Sequence, residues 1–337
     1  MANKPKVLLA MRRSLGEQIF NREDLEHFKT FVEVNDVSSL PDTIDESFIT
    51  ENIKDVEVCV SCWGTPPFTK EILDRASKLK LIAHSAGSVK PIVTDYVWEK
   101  GIRVTSAAPA IATAVAETTL GLMIISLKRI PQLNEIVRKG FWKLEDEVSR
   151  TKSLYNITVG IIGASNVGRN VIELLGNFQV EILLYDPYVT QEEAEQLGVK
   201  LTTLEELLAH SDVISLHAPS IPETYHMINR ENIKLLKRGA VLINTARGSL
   251  IDEAALVERL TKGDIFACID VTDPEPPDIN SPLRKLPNVI LTPHIAGGSG
   301  ITDRQRQGRY IIDQIHKFVT QGKLDYEVTK DMLPRIA

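Results

Sequence analysis

Three polar residues stand just past apolar runs in the second half of the chain: Arg247 after AVLINTA, Glu275 after FACIDVT, and His294 after VILTP. An arginine is a planar fork that grips a carboxylate through two parallel hydrogen bonds. A histidine, with an ordinary pKa of about 6.5, gives or takes a proton at neutral pH. A carboxylate such as Glu275, hydrogen-bonded to the imidazole, orients it, raises its pKa and favours its protonated form. Together the three suit a hydride transfer at a carbon bearing oxygen, with His294 as acid/base and Arg247 holding a substrate carboxylate. Each alone has a plainer reading: a surface arginine, a glutamate in a proline-rich turn, a loop histidine. Their shared position counts for more, because open α/β sheets bind ligands beyond the carboxyl ends of their strands.

A second constellation precedes them. The apolar run ITVGIIG ends in Gly163-Ala-Ser-Asn-Val-Gly168 and leads into the helical pattern RNVIELLG. A turn glycine reverses the chain, the open N–H groups of a helix start receive a pyrophosphate, and the last glycine lets helix pack on strand. Asp186 ends the next apolar run, LLYDP, where a carboxylate accepts hydrogen bonds from ribose hydroxyls and repels a 2′-phosphate. This predicts a dinucleotide site for NAD rather than NADP. The middle glycine of the usual turn is replaced by Ser165, whose Cβ is expected to face the phosphates.

With these segments, VAETTLGLM, VRKGFW, SLHAPSIPET, NTARGSLIDE, DVTDPEP and TPHIAGG make the chain resemble the D-isomer-specific 2-hydroxyacid dehydrogenase family over nearly its whole length. The resemblance implies a catalytic set at Arg247, Glu275 and His294. It implies an NAD site built from Gly163, Ser165, Asn166, Val167, Gly168 and Asp186, with Pro219, Thr245, Ala246, Asp270 and Gly297 as further cofactor contacts. It implies a substrate loop at SAGSVK, with Gly87, Ser88 and Val89 joining Arg247 as substrate-binding residues. It also implies a small 2-hydroxy or 2-keto acid as substrate and a homodimer paired through the NAD domain and the long helix from Ala110. The chain departs from many relatives at Lys90-Pro91 and at Ile111, which touches the choice of substrate rather than the reaction. The resemblance extends to corepressor proteins that bind NADH to assemble, so an NADH-binding regulatory protein with little turnover is the competing expectation. A methyltransferase accounts for the glycine turn but not for the Arg, Glu and His series.

The elements that must position these residues follow from the pattern. From Lys6 to about Ala107, β-rich runs alternate with helical stretches, and a second alternating series runs from ITVGIIGA to VILTPHIA. Such alternation predicts parallel sheets covered by helices on both faces. The expected fold is α/β, with two doubly wound parallel-sheet domains: a discontinuous substrate-binding domain at 1–109 and 299–337, and a Rossmann NAD-binding domain at 110–298, with a cleft between. A helix from near Ala110 links them, and Pro131 is expected to kink or interrupt it. The closing helix after AGGSG is expected to return to the first domain. No regulatory domain is read after it, which argues against the larger allosteric phosphoglycerate enzymes without excluding a phosphorylated substrate.

Composition narrows the class. A chain of 337 residues exceeds one hydrophobic core. The net charge of −6 gives no broad positive field for nucleic acid. The N-terminus does not read as a signal sequence, and no stretch is read as reaching the roughly 20 apolar residues that span a bilayer. Three cysteines, Cys59, Cys62 and Cys268, fit a reducing, cytoplasmic setting. Cys59 and Cys62 share a strand three positions apart, so they face opposite sides, and no metal site is expected. His84 and His217, in apolar strands, read as packed residues, and Trp63 as a wall of the substrate pocket or a cover over the sheet end.

Overall fold

A computed structural model describes residues 4–336. The chain divides into two compact units, Met1–Ile111 with Gly297–Ala337, and Ala112–Ala296. The first unit holds strands β1 (Lys6–Ala10), β2 (Glu33–Val34), β3 (Val58–Ser61), β4 (Leu81–His84) and β5 (Arg103–Ser106). All pair in parallel, in the order β2-β1-β3-β4-β5. The order reverses between β1 and β3, so this sheet's crevice opens at their carboxyl ends. The central strands are buried on both faces and accordingly read as continuous apolar runs. Cys59 packs into the core on one face and Cys62 into that on the other, as alternation requires. The run FVEVNDV yields only two strand residues at the sheet edge, where few ladder bonds are available. The closing helix, Ile301–Gln321, covers one face of this sheet.

The second unit holds β6 (Tyr155–Ile162), β7 (Gln179–Tyr185), β8 (Lys200–Leu201), β9 (Val213–Leu216), β10 (Val241–Asn244), β11 (Phe266–Ile269) and β12 (Val289–Leu291). They form a parallel sheet in the order β12-β11-β10-β9-β6-β7-β8. This is the dinucleotide-binding winding, with its switch point between β6 and β9. Helices Gln191–Leu197 and Leu204–His210 start in capping boxes at Thr190 and Thr203. The segment ENIKLLK forms only a short 3-10 turn, Asn232–Leu235. There the Asn229 and Asn232 side chains take backbone N–H groups, which competes with a longer helix.

The helix Ala108–Leu127 begins within the first unit and runs into the second. It has the length and apolarity of a membrane span, contrary to the expectation that no stretch would reach them. The physical reason is packing: more than half of it is buried, and Ala116, Leu122, Met123 and Leu127 join the core cluster of Val159 and Ile161. After Leu127 the chain turns at Arg129, in the left-handed region at φ 53°, and restarts as Ile130–Arg138 with Pro131 in the first turn, where its missing N–H costs nothing.

Candidate active site

At the switch point of the second sheet, β6 runs into Gly163 at φ 95°. A Cβ there would lie 2.7 Å from the backbone nitrogen of Ala218, just after β9, so only glycine lets the two strand exits meet. A Cβ on Gly168 would lie 2.0 Å from the Gly163 carbonyl oxygen, which fixes the last glycine for the same reason. Ser165 is the N-cap of helix Asn166–Leu175, exposed, with its hydroxyl accepting from the Gly168 N–H at 3.4 Å. Its Cβ therefore crowds no neighbouring backbone, and the serine stabilises the helix start that the glycine pattern leaves bare. Among the described residues, the Asn166 and Val167 N–H groups donate to no protein acceptor. That leaves an open helix N-terminus suited to a pyrophosphate.

Asp186, just past β7, accepts from Ala164 N at 2.7 Å and Tyr188 N at 2.8 Å, so its carboxylate is locked against the glycine turn. Beside it lies a pocket of about 620 Å³ whose lining includes Asp186, Pro187, Leu201, Leu204, Glu205 and Glu206. Glu206 is held below the usual carboxylate range by the Thr202 hydroxyl and the Thr203 backbone. The pocket is apolar enough for an adenine and acidic at its rim. The turn, the open N–H groups and this pocket fit a dinucleotide.

The remaining cofactor candidates fall at the same sheet edge or next to it. The Pro219 carbonyl accepts from Thr224 Oγ1 at 2.6 Å, beyond β9. Thr245 Oγ1 lies 2.9 Å from Thr119 Oγ1 on the long helix, and the Ala246 N–H donates to Asn244 Oδ1 at 3.0 Å. Gly297 opens the segment that returns to the first unit. Asp270 holds a loop together. Its buried carboxylate accepts from Thr292 Oγ1 at 2.6 Å and from the Ile295 and Ala296 N–H groups, each at 2.9 Å. Its carbonyl accepts from His294 N at 2.9 Å. All of this builds the loop that carries the histidine.

His294 sits in that loop at φ 54°, and its Nδ1 lies 2.7 Å from Glu275 Oε1, both side chains being half exposed. Arg247 follows β10, and burial pushes its pKa down while the Glu275 charge acts against that. Its Nη1 donates to its neighbour's carbonyl, Ala246 O, at 2.7 Å, and it forms no ion pair among the described residues. The turn that presents it is pinned twice. Asn244 Nδ2 donates to Arg247 O at 2.8 Å, and a Cβ on Gly248 would lie 2.1 Å from the Thr272 carbonyl carbon. Asn244 is not among the residues singled out from the sequence, although a buried polar residue ending an apolar strand is a readable signal.

In the first unit, Gly87, Ser88 and Val89 follow β4. Among the described residues their three N–H groups donate to no protein acceptor. Val89 is fully buried in the core with Phe68 and Ile92, while Gly87 and Ser88 are half-buried. His84 and His217 are buried beside serine hydroxyls, each 2.9 Å away, at Ser61 and Ser215. Burial pushes them down to about 4 and about 3, so both are neutral packed residues.

Residues 120–296 match the family described as D-isomer specific 2-hydroxyacid dehydrogenase, NAD binding domain. The chain belongs to this family. Among curated members of the dehydrogenase family, a D-3-phosphoglycerate dehydrogenase of Methanocaldococcus jannaschii is 39% identical over 88% of the chain and 56% of its own length. A hydroxypyruvate reductase of Thermotoga maritima is 33% identical over 89% of the chain and 92% of its own. The chain thus spans about half the length of the phosphoglycerate dehydrogenases it matches first, and nearly all of the reductase. A solved glyoxylate reductase from Paecilomyes thermophila superposes with a TM-score of 0.76 at 26% identity, covering 98% of this chain and 100% of that one.

Proposed function

We propose that this family member transfers a hydride between NAD(H) and C2 of a small D-2-hydroxy or 2-keto acid. The observation that carries this reading is the 2.7 Å contact of His294 Nδ1 with Glu275, beside an Arg247 that has no ionic partner among the described residues. An ionised Glu275 only accepts, so Nδ1 carries the proton between them and Nε2 faces the substrate. Bound NADH supplies the hydride in the reductive direction. His294 Nε2 then donates a proton to the C2 oxygen, and in oxidation it takes that proton back. Arg247 binds the substrate carboxylate and polarises the C2 oxygen. A substrate-binding role for Gly87, Ser88 and Val89 rests on N–H groups that donate to no protein acceptor among the described residues. Asp186, Glu205 and Glu206 around one pocket favour NAD, because a 2′-phosphate there meets negative charge with no basic residue in the lining.

Pairing with a second copy has its own support. Helix Ile130–Arg138 has one apolar side yet buries no residue, and Phe141 and Trp142 beyond it are 58% and 85% exposed. Patches of this kind mark protein contacts. A cytoplasmic setting accords with three buried free thiols, two of which, Cys62 and Cys268, burial pushes up to about 12. NADH absorbance followed with glyoxylate, hydroxypyruvate, pyruvate and bulkier keto acids tests the activity. Turnover on the panel is the expected result, whereas tight NADH binding with silence on every acid points to a regulatory protein instead. Sedimentation of the wild type and of Trp142→Glu tests the dimer: the wild type is expected to be dimeric and the variant to shift toward monomer.

A further inference from the structure

The long helix Ala108–Leu127 is apolar over most of its length, yet where it runs through the second unit it carries two adjacent threonines, Thr118 and Thr119. Each reaches a different working segment. Thr118 Oγ1 donates to the Ala296 carbonyl at 3.0 Å, at the end of the loop that carries His294. Thr119 Oγ1 lies 2.9 Å from Thr245 Oγ1, at the start of the turn that presents Arg247. All of these residues belong to the second unit.

Both segments lie past the last registered pairs of their strands, Asn244 with Ile269 and Ile269 with Leu291. The sheet therefore does not by itself fix the distance between them. Asn244 and Gly248 brace the arginine turn, and Asp270 braces the histidine loop, each from its own side. The helix touches both. It holds the Ala296 peptide jointly with Asp270, which takes the N–H at 2.9 Å while Thr118 takes the carbonyl.

Packing does not ask for hydroxyls here. Thr119 is fully buried, on the helix face of Ala116 and Met123, which enter the apolar core. A matched pair of buried hydroxyls adds little to stability over an apolar pair of the same shape, so what it supplies beyond shape is direction. A β-branched side chain is also stiff at χ1, which makes each contact a fixed attachment to the helix.

We propose that Thr118 and Thr119 are positioning residues: adjacent on one helix, they set the His294 loop and the Arg247 turn at the separation the reaction requires. This rests on the function proposed above and adds how its acid/base and its carboxylate-binding group are kept in register. In a 2-keto acid the carboxylate is bonded directly to C2, so the two groups must meet neighbouring atoms of one small fragment. A misplacement of about 1 Å there costs up to about a hundredfold in rate.

The test has two arms. In the first, kcat and KM with NADH are measured for whichever of glyoxylate, hydroxypyruvate and pyruvate the wild type reduces fastest. Thr118→Val is expected to lower kcat about tenfold with KM within about twofold, and Thr119→Val to raise KM about tenfold with a smaller change in kcat. Thr118→Ser and Thr119→Ser keep the hydroxyl and are expected to recover most of each loss. Ser126→Ala, which removes a buried hydroxyl of the same helix 3.0 Å from Cys268 Sγ inside β11, is expected to leave both constants unchanged. Wild-type kinetics in the valine variants, serine variants as impaired as the valine ones, or an equal loss in Ser126→Ala each overturn the proposal. The second arm needs no turnover: amide hydrogen exchange of the full chain is followed by mass spectrometry. Thr118→Val is expected to speed exchange about tenfold over residues 292–296 and not over 244–249, and Thr119→Val the reverse. Faster exchange throughout the second unit marks a general loss of stability and overturns the proposal, as does no change in either segment. Segment-selective exchange in a protein silent on every keto acid would leave both attachments standing and overturn the function instead.

Discussion

The two sheets are built alike and used differently. Each is parallel, each buries a neutral histidine beside a serine hydroxyl at a strand exit, and each opens at a switch point. In the second unit the working groups come from short continuous segments, and the backbone itself is the tool: Gly163, Gly168 and Gly248 stand where one strand exit touches another. In the first unit the groups at the switch point are long side chains brought from Arg12, Trp63, Arg304 and Gln307. On the proposed function, the chemistry falls to the unit with the fixed backbone.

Five measurements put this division at risk. His294→Gln is expected to lower kcat by about a hundredfold or more, the scale of a lost general acid/base. Full activity in that variant would move the chemistry elsewhere. Asp270→Ala orphans the Thr292, Ile295 and Ala296 donors, and urea unfolding is expected to show a loss of about 3 kcal/mol with a slower enzyme. A stable variant with normal kcat would mean that the histidine loop holds itself.

Acid should weaken both units alike. Unfolded histidine takes a proton below about pH 6.5, but His84 and His217 resist protonation down to about 4 and about 3. The unfolded chain therefore binds more protons as pH falls, and stability present above about 6.5 drains away below it. Between about pH 7 and pH 5 each is expected to cost about 2 kcal/mol. His84→Asn and His217→Asn should each flatten that slope, and an unaltered slope in either would deny the symmetry of the two sheets.

Smaller effects concern the cofactor. Asp186→Ser is expected to shift the NADH to NADPH ratio of dissociation constants by about tenfold toward NADPH, and no shift would deny the carboxylate its selecting role. Ser165→Gly should cost only a few tenths of a kcal/mol, since glycine is a tolerated cap, with NADH affinity within about twofold. A large loss of affinity would assign the hydroxyl to the phosphates rather than to the helix.

The same contrast governs what can be read from the sequence. The glycine turn, Asp186 and the Arg, Glu and His series lie in runs of a few residues, and a strand followed by a turn places them without knowledge of the rest. Ser165 reads as an intrusion in the sequence because capping depends on backbone direction, which residue types alone do not give. Asp270 reads as a cofactor contact, yet its hydrogen bonds run to Thr292, Ile295 and Ala296, which only the pairing of β11 with β12 brings near. Arg12, Arg304 and Gln307 carry no local pattern at all. Their meeting depends on a helix returning across most of the chain's length. The long apolar helix escapes a search for unbroken apolar runs because single polar residues interrupt it, while mean apolarity over the whole length stays high.

Gly248 has a consequence for how such a chain diversifies. With the Thr272 carbonyl filling the space where any side chain would begin, no residue with a Cβ replaces Gly248 unless the turn presenting Arg247 shifts. A lineage descending from this protein is therefore expected to keep glycine at this position, and with it the placement of Arg247.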